Sequence, residues 1–502
     1  MMLLEMAASG PADRVALGCG EDRLGAAELL AAAGGAASLV RESGAEHVAL
    51  LDESSPAFPI ALFGASWAGR PFAPLNYRLT GAELDALLER LAPALLVVSD
   101  GRAAELSGRS GVRVMARGAF LDEARRRGRG ELPPGWEMDP DRIAVLLFTS
   151  GTTGPPKAAV LRQRHLVSYV LGSVEFGSAR EDEATLVSVP PYHIAGIAAL
   201  QSSLYAGRRI VQLPSFDAGV WLETARAERV THAFVVPTML ARITHALGDA
   251  RDASLPSLRA LAYGGGKMPA PVIARALELF PDTAFTNAYG LTETSSTLTL
   301  LGPEDHRAAA ATDDREVRER LTSVGRPLPS VEIEIRDEHG KPLGPGQRGE
   351  IHVRGEQVSG EYLGHGTRLD AEGWFPTRDA GWLDAEGYLF LEGRVDDVIV
   401  RGGENLSPGE IEDVLLAHAA VADVGVVGVP DEEWGETVAA AVVLHPGREA
   451  SAEELRGWVR ERLRSSRMPS HVRFEKELPY NESGKLLRRE LRRLFEASLE
   501  RS

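Results

Sequence analysis

Cysteine is almost absent: Cys19 is the one thiol in 502 residues. A single thiol excludes an intramolecular disulfide and any multi-cysteine metal cluster, and it fits a reducing compartment. Long apolar runs are missing too. No stretch approaches the roughly 20 residues a membrane-spanning helix needs. No basic segment followed by an apolar core opens the chain, so neither a membrane span nor a secretory signal is expected, and a cytoplasmic location is. Positive charge is in deficit: 55 Lys and Arg against 72 Asp and Glu give a formal net charge of −17. That balance argues against nucleic acid or an anionic membrane surface as the main partner. A phosphate-bearing ligand must therefore meet a local positive site inside a repulsive field. Internal repeats are lacking as well, and so is the G-x-x-x-x-G-K-S/T spacing of the common nucleotide hydrolases.

What is present is the material of a large globular protein. The length implies two to four units, and 44% hydrophobic residues supply a substantial core. From about 46 to 100, short apolar runs such as Val48 to Leu51 and Leu95 to Val98 alternate with helix-like stretches such as Gly81 to Leu91. The rhythm returns with Arg209 to Leu213, His232 to Val236 and Leu258 to Tyr263, with helical patterns at Trp221 to Arg229 and Pro271 to Phe280. Strands alternating with helices predict βαβ units and a mostly parallel sheet. From Val331 the pattern changes to period two, as in Val331 to Ile335 and Gly349 to Val353, which predicts antiparallel strands with one solvated face. A further change comes near Gly393. Ser407-Pro408-Gly409-Glu410 has the N-cap serine, first-turn proline and N3 glutamate of a helix start. The basic run Arg125 to Gly130 reads as a solvated loop or helix end.

Five motifs carry chemistry. Thr149-Ser150-Gly151-Thr152-Thr153-Gly154-Pro155-Pro156-Lys157 follows the apolar run Ile143 to Phe148. Glycines let backbone N–H groups approach an anion closely, and the hydroxyls and ammonium add donors, so this composition suits a polyphosphate; alone it also suits a polar turn. In Asn287-Ala288-Tyr289-Gly290-Leu291-Thr292-Glu293, a tyrosine offers a flat face to a base and a glutamate offers oxygen to Mg²⁺. In Gly373 to Asp379, an ionised aspartate has only acceptors and can take both hydroxyl protons of a ribose diol, or it can end a turn. Gly393-Arg394-Val395-Asp396-Asp397 to Asn405 combines a guanidinium, two acids and the exposed backbone of Gly402-Gly403; a linker between domains is the simplest role. Last, Asn481-Glu482-Ser483-Gly484-Lys485 precedes a basic terminal helix.

In this order and spacing the five motifs resemble the adenylate-forming superfamily of acyl-CoA synthetases, firefly luciferase and peptide-synthetase adenylation domains, over nearly the whole chain. The resemblance implies an α/β fold: a large N-terminal domain, 1–393, of βαβ subdomains plus a small barrel-like sheet, then a hinge at 394–397 and a small mobile α+β domain, 398–502. It implies an acid–thiol ligase that takes a carboxylic acid, ATP with Mg²⁺, and coenzyme A. Thr149 to Lys157 would cradle the β- and γ-phosphates, Tyr289 would stack on adenine within Asn287 to Gly290, and Thr292 would contact the α-phosphate. Glu293 would ligate Mg²⁺, Asp379 would hold the ribose with Arg394 beside it, and Asp396 would be the hinge. Lys485 would bridge the carboxylate and the α-phosphate, and Gly402-Gly403 would line the thiol tunnel.

Four positions depart from the family pattern: Ala158 and Arg378 where glycine is usual, Lys267 where proline is typical, and Pro376. Pro190-Pro191-Tyr192-His193 resembles the segment bordering the acyl pocket. Tyr192-His193 takes the place of the aspartate that binds an α-amino group in peptide-synthetase domains, so an α-amino acid is disfavoured. With Gly264-Gly265-Gly266, the segment suggests an apolar pocket for a fatty or aryl acid; a dicarboxylate is the alternative if Lys267 or Arg208 faces it. Free coenzyme A is the expected acceptor, with a carrier-protein thiol as the alternative.

Overall fold

The computed structural model describes residues 1–11, 14–19, 22–149, 156–312, 314–431, 433–480 and 486–499. Among these residues the strands form four sheets, of eight, nine, four and five strands.

The eight-stranded sheet is parallel at its centre, where His47–Leu51 lies between Phe72–Pro74 and Ala94–Val98. Its central strands read as apolar runs because both faces are covered. Val48, Leu50, Leu95 and Val97 enter one core, while Ala49, Leu51, Leu96 and Val98 enter another on the opposite face. The strand Ile143–Thr149 then pairs antiparallel with Lys157–Arg162, with Thr149 opposite Lys157.

The nine-stranded sheet repeats the scheme. Ala184–Val187, His232–Val235, Ala260–Gly264 and Ala284–Leu291 are parallel neighbours. The helices Ala218–Ala227, Pro237–Leu247 and Ala270–Leu279 alternate with them around Trp221, Tyr263 and Phe285. The helix Gly81–Leu91 has the bounds its pattern predicts, and the two expected at Trp221 and Pro271 begin three and one residues earlier.

The period-two segments form the four-stranded antiparallel sheet of Glu332–Arg336, Gly349–Arg354, Phe375–Leu383 and Leu389–Arg394. Ile335, Ile351, Val353, Phe375 and Leu389 face its core. Glu332 and Glu334 pair instead with Arg354 and Arg336.

Beyond Arg394 the chain makes a short 3₁₀ turn, Val395–Asp397, and enters a small domain with its own core. Its five-stranded sheet packs against the helices Pro408–Leu416 and Arg488–Leu499. The architecture is a large N-terminal domain followed by a small C-terminal one, as expected.

Two local expectations need correction. The segment after Asp397 is not a plain linker: Ile399–Arg401 and Glu404–Leu406 form a hairpin turned by Gly402 and Gly403. Ser407 does precede the helix, but its hydroxyl does not cap it. It donates instead to the Glu392 carbonyl at 2.7 Å, because the helix start packs against the end of the preceding sheet.

Candidate active site

Three sheets of the large domain converge on one cluster. Tyr289 comes from the strand Ala284–Leu291, so the Asn287 to Gly290 motif is itself strand. Asp379 and Arg394 come from the four-stranded sheet, where they lie directly opposite each other. Asp379 therefore sits within a strand, not at a turn. The Tyr289 hydroxyl donates to Asp379 Oδ2 at 2.7 Å, and Arg394 Nη1 donates to Oδ1 at 2.8 Å. Burial, followed by the Asp379 charge, pushes the Tyr289 phenol well above its ordinary pKa, so it stays a donor. A carboxylate has about four acceptor sites, so two held donors fix Asp379 and leave capacity for a diol.

Gly290 is required beside this tyrosine, since a Cβ there would lie 1.8 Å from the Ser296 carbonyl oxygen. Strand Ser296–Leu301 can fold back so closely only over glycine. The Asn287 amide is committed to the Ser323 carbonyl at 3.1 Å and braces the strand from behind. Thr292 and Glu293 begin the 3₁₀ turn Thr292–Thr294 at the strand end.

Glu293 is reached from the third sheet. The Tyr362 hydroxyl, on the strand pairing with Lys157–Arg162, donates to Glu293 Oε1 at 2.5 Å. Among the described residues no group of three or more His, Cys, Asp or Glu could hold a metal by itself. A lone carboxylate suits magnesium that arrives with phosphate oxygens and water as its other ligands.

Of the phosphate motif, Thr149 and Lys157 are described, as neighbours on paired strands. Ser150, Gly151, Thr152, Thr153 and Gly154 lie outside the described residues. Arg90 braces both ends of the motif: it donates to the Pro156 carbonyl at 2.7 Å and lies 5.2 Å from the Phe148 ring centre. Sequence reasoning missed Arg90 and Tyr362, because neither has a neighbour in sequence that marks it.

Lys485 also lies outside the described residues, but its flanks are firmly held. Tyr480 and Leu486 form an antiparallel bridge, and Leu487 N donates to the Pro479 carbonyl at 2.7 Å. The Tyr480 hydroxyl donates to Asp423 at 2.9 Å. Arg488 is partly buried and makes a two-point pair with Glu412, donating also to the Val426 carbonyl.

At the expected acyl pocket, His193 precedes the helix Ile194–Ala206 and its ring centre lies 4.6 Å from that of Tyr192. Tyr77 meets Tyr192 edge-on at 5.8 Å, an aromatic the sequence did not single out. Gly264 is buried opposite Ala288, whose carbonyl oxygen a Cβ would meet at 2.1 Å. Gly265 and Gly266 pass Val236 and Pro237. In this arrangement of the two domains both candidate pocket cations are paired. Lys267 donates to Asp413 Oδ2 at 2.7 Å and to the Gly409 carbonyl at 3.2 Å, on the C-terminal domain. Arg208 pairs with Glu183 at 3.0 Å.

Arg378 adopts the left-handed region, φ 62°, which explains the usual glycine. Its N–H donates to Glu350 at 3.0 Å, and its guanidinium pairs with Asp396 in the interdomain turn. Ala158 is a buried strand residue whose carbonyl accepts from Leu363 N at 2.9 Å.

Comparison with known proteins identifies the family. Residues 4–363 match the family model for AMP-binding enzymes, and 410–485 match that of the AMP-binding enzyme C-terminal domain. A feruloyl-CoA synthase from Amycolatopsis is 34% identical over 460 residues, covering 90% of this chain and 89% of the relative. A fatty acid–acyl-carrier-protein ligase from Streptomyces coeruleorubidus is 33% identical over 461 residues, covering 90% and 87%. The O-succinylbenzoate coenzyme A synthetase of Bacillus subtilis, solved with ATP and a magnesium ion, superposes with a TM-score of 0.84 at 30% identity, covering 97% of this chain and 98% of that one. No helix among the described residues is long and apolar enough to cross a membrane. The chain belongs to the AMP-binding enzyme family, the adenylate-forming enzymes its motifs resemble.

Proposed function

We propose that the protein activates a carboxylic acid with Mg·ATP and transfers the acyl group to coenzyme A, in the cytoplasm. The observation that carries this reading is the Tyr289–Asp379–Arg394 cluster, set where three sheets meet and one strand end from Glu293. Asp379 holds the ribose hydroxyls and the Tyr289 ring faces the base. Thr149 to Lys157 supplies hydroxyl, backbone and ammonium donors to the terminal phosphates, and Thr292 contacts the α-phosphate. Glu293 holds the cation that arrives with ATP; bound there, Mg²⁺ neutralises phosphate charge and polarises the phosphoryl oxygens.

In the first half-reaction an acid oxygen attacks the α-phosphorus. The P–O bond to pyrophosphate breaks, giving acyl-adenylate and pyrophosphate. Lys485 supplies positive charge where negative charge develops. In the second, the thiol sulfur attacks the acyl carbon, its proton is lost, and AMP leaves with the former acid oxygen. A hinge at Asp396, dividing 1–393 from 398–502, would exchange Lys485 for the Gly402-Gly403 hairpin between the two steps.

The engagement of Lys267 by Asp413 and of Arg208 by Glu183 leaves Tyr192 and His193 to border the acyl pocket. That favours an aryl or fatty monocarboxylate over a dicarboxylate. A carrier-protein thiol as acceptor is the second reading, supported by the acyl-carrier-protein ligase among the relatives. Pyrophosphate release over a panel of acids, followed by thioester formation with coenzyme A or a holo-carrier protein, tests both. Thioester with coenzyme A is expected. Thioester on the carrier protein alone would replace the first reading by the second, and no acid-dependent pyrophosphate release would overturn both.

A further inference from the structure

The stretch around Tyr362 is stitched to the strand that leaves the phosphate motif. Tyr362 lies opposite Ala159, and Leu363 N donates to the Ala158 carbonyl at 2.9 Å. The Ser359 hydroxyl is bonded to the Val160 carbonyl. Arg162 makes a two-point ion pair with Glu361, at 2.9 and 2.7 Å. The same stretch grips Glu293 twice. Ser359 N and Gly360 N donate to the Glu293 carbonyl at 2.8 and 3.2 Å, which fixes its main chain. The Tyr362 hydroxyl donates to Oε1 at 2.5 Å, which fixes its side chain. A glutamate has three side-chain torsions, and a short charge-assisted bond to one oxygen removes most of that freedom.

We propose that Tyr362 is a positioning residue for catalysis: it aims the Glu293 carboxylate at the metal and ties it to the strand that begins at Lys157. Carboxylate and phosphate grip, which are 136 residues apart in sequence, are thereby held in one frame. The inference rests on the reading of Glu293 as the magnesium ligand. The main-chain bonds from Ser359 and Gly360 hold the fold locally without the hydroxyl, so Tyr362→Phe removes aim and leaves support.

The test compares the full-length protein with Tyr362→Phe and Glu293→Gln. Free Mg²⁺ is titrated at fixed ATP, and the midpoint of the ATP-dependent rise in Tm is read against each variant's own Tm without ATP, so a general loss of stability does not mask it. Partners of metal ligands commonly change affinity by ten- to a hundredfold, and Tyr362→Phe is expected to raise the midpoint about tenfold. Pyrophosphate release should need correspondingly more Mg²⁺, while coenzyme A should react with preformed acyl-adenylate at the wild-type rate. A shifted midpoint in Glu293→Gln with none in Tyr362→Phe would overturn the role of Tyr362 and leave that of Glu293 standing. No shift in either would overturn both. Equal slowing of the two half-reactions in Tyr362→Phe, without a midpoint shift, would mark a merely structural role.

Discussion

Lys267 Nζ donates to Asp413 Oδ2 at 2.7 Å, joining the large domain to the first helix of the small one. This contact turns a cation that stands next to the glycine triplet away from the proposed acyl pocket and into the seam between domains. Lys267→Met should therefore leave the ratio of kcat/KM for dicarboxylic over monocarboxylic acids unchanged. Both side chains are about half exposed, at 51% and 57%, so the stability lost should stay under about 1 kcal/mol. Steady-state kinetics with paired mono- and diacids checks the first point and urea denaturation the second.

Arg378 balances two opposing terms. A left-handed φ costs a non-glycine residue roughly 1 kcal/mol. The half-exposed ion pair with Asp396 returns at most about as much. Arg378→Gly should change unfolding free energy by less than about 1 kcal/mol, and Arg378→Val, which keeps the strain and loses the pair, should destabilise by about 1–2 kcal/mol. AMP affinity should survive Arg378→Gly, because the guanidinium reaches the interdomain turn. Urea denaturation and calorimetric titration with AMP read both outcomes.

His165 sets a pH dependence. Burial first, then the Arg164 and Arg162 charges, push its imidazole down from 6.5 to about 4. The folded state therefore binds fewer protons than the unfolded chain between these values, and stability rises with pH through that window. The contribution is complete above pH 6.5, lost as pH falls toward 4, and worth about 3 kcal/mol at 1.36 kcal/mol per unit. Denaturation curves from pH 4 to 8 should show a shallower slope for His165→Gln than for the wild type.

Lys485→Ala separates the half-reactions. Loss of one positioned donor should slow acyl-adenylate formation about a hundredfold or more. Coenzyme A should still discharge preformed acyl-adenylate at the wild-type rate, as stopped-flow on each half-reaction would show. Equal losses in both steps would contradict the role given to this lysine.

Period and turn chemistry made the scaffold legible. The helix Gly81–Leu91 announces itself through the helical spacing of Leu84, Leu87, Leu88 and Leu91, and the apolar strands of the parallel sheets because burial on both faces leaves no polar interruption. The Tyr289–Asp379–Arg394 cluster was legible only through five motifs taken together, since Tyr289 and Asp379 are 90 residues apart and alone read as an ordinary strand-end tyrosine and a turn aspartate. Tyr362 and Arg90 were not legible, because their partners come from other sheets and local pattern carries no trace of them. The cations at 267 and 378 were visible as departures, but their directions depended on acids supplied by the seam and the interdomain turn.

The central claim is that the acid's oxygen attacks the α-phosphorus and that AMP leaves carrying it. A carboxylic acid labelled with ¹⁸O in both carboxyl oxygens, turned over with ATP and coenzyme A, tests this directly by mass spectrometry of the products. The account predicts one ¹⁸O in each AMP, none in pyrophosphate, and one retained in the thioester carbonyl. Label in inorganic phosphate with ADP as the nucleotide product, or unlabelled AMP beside thioester, would contradict it.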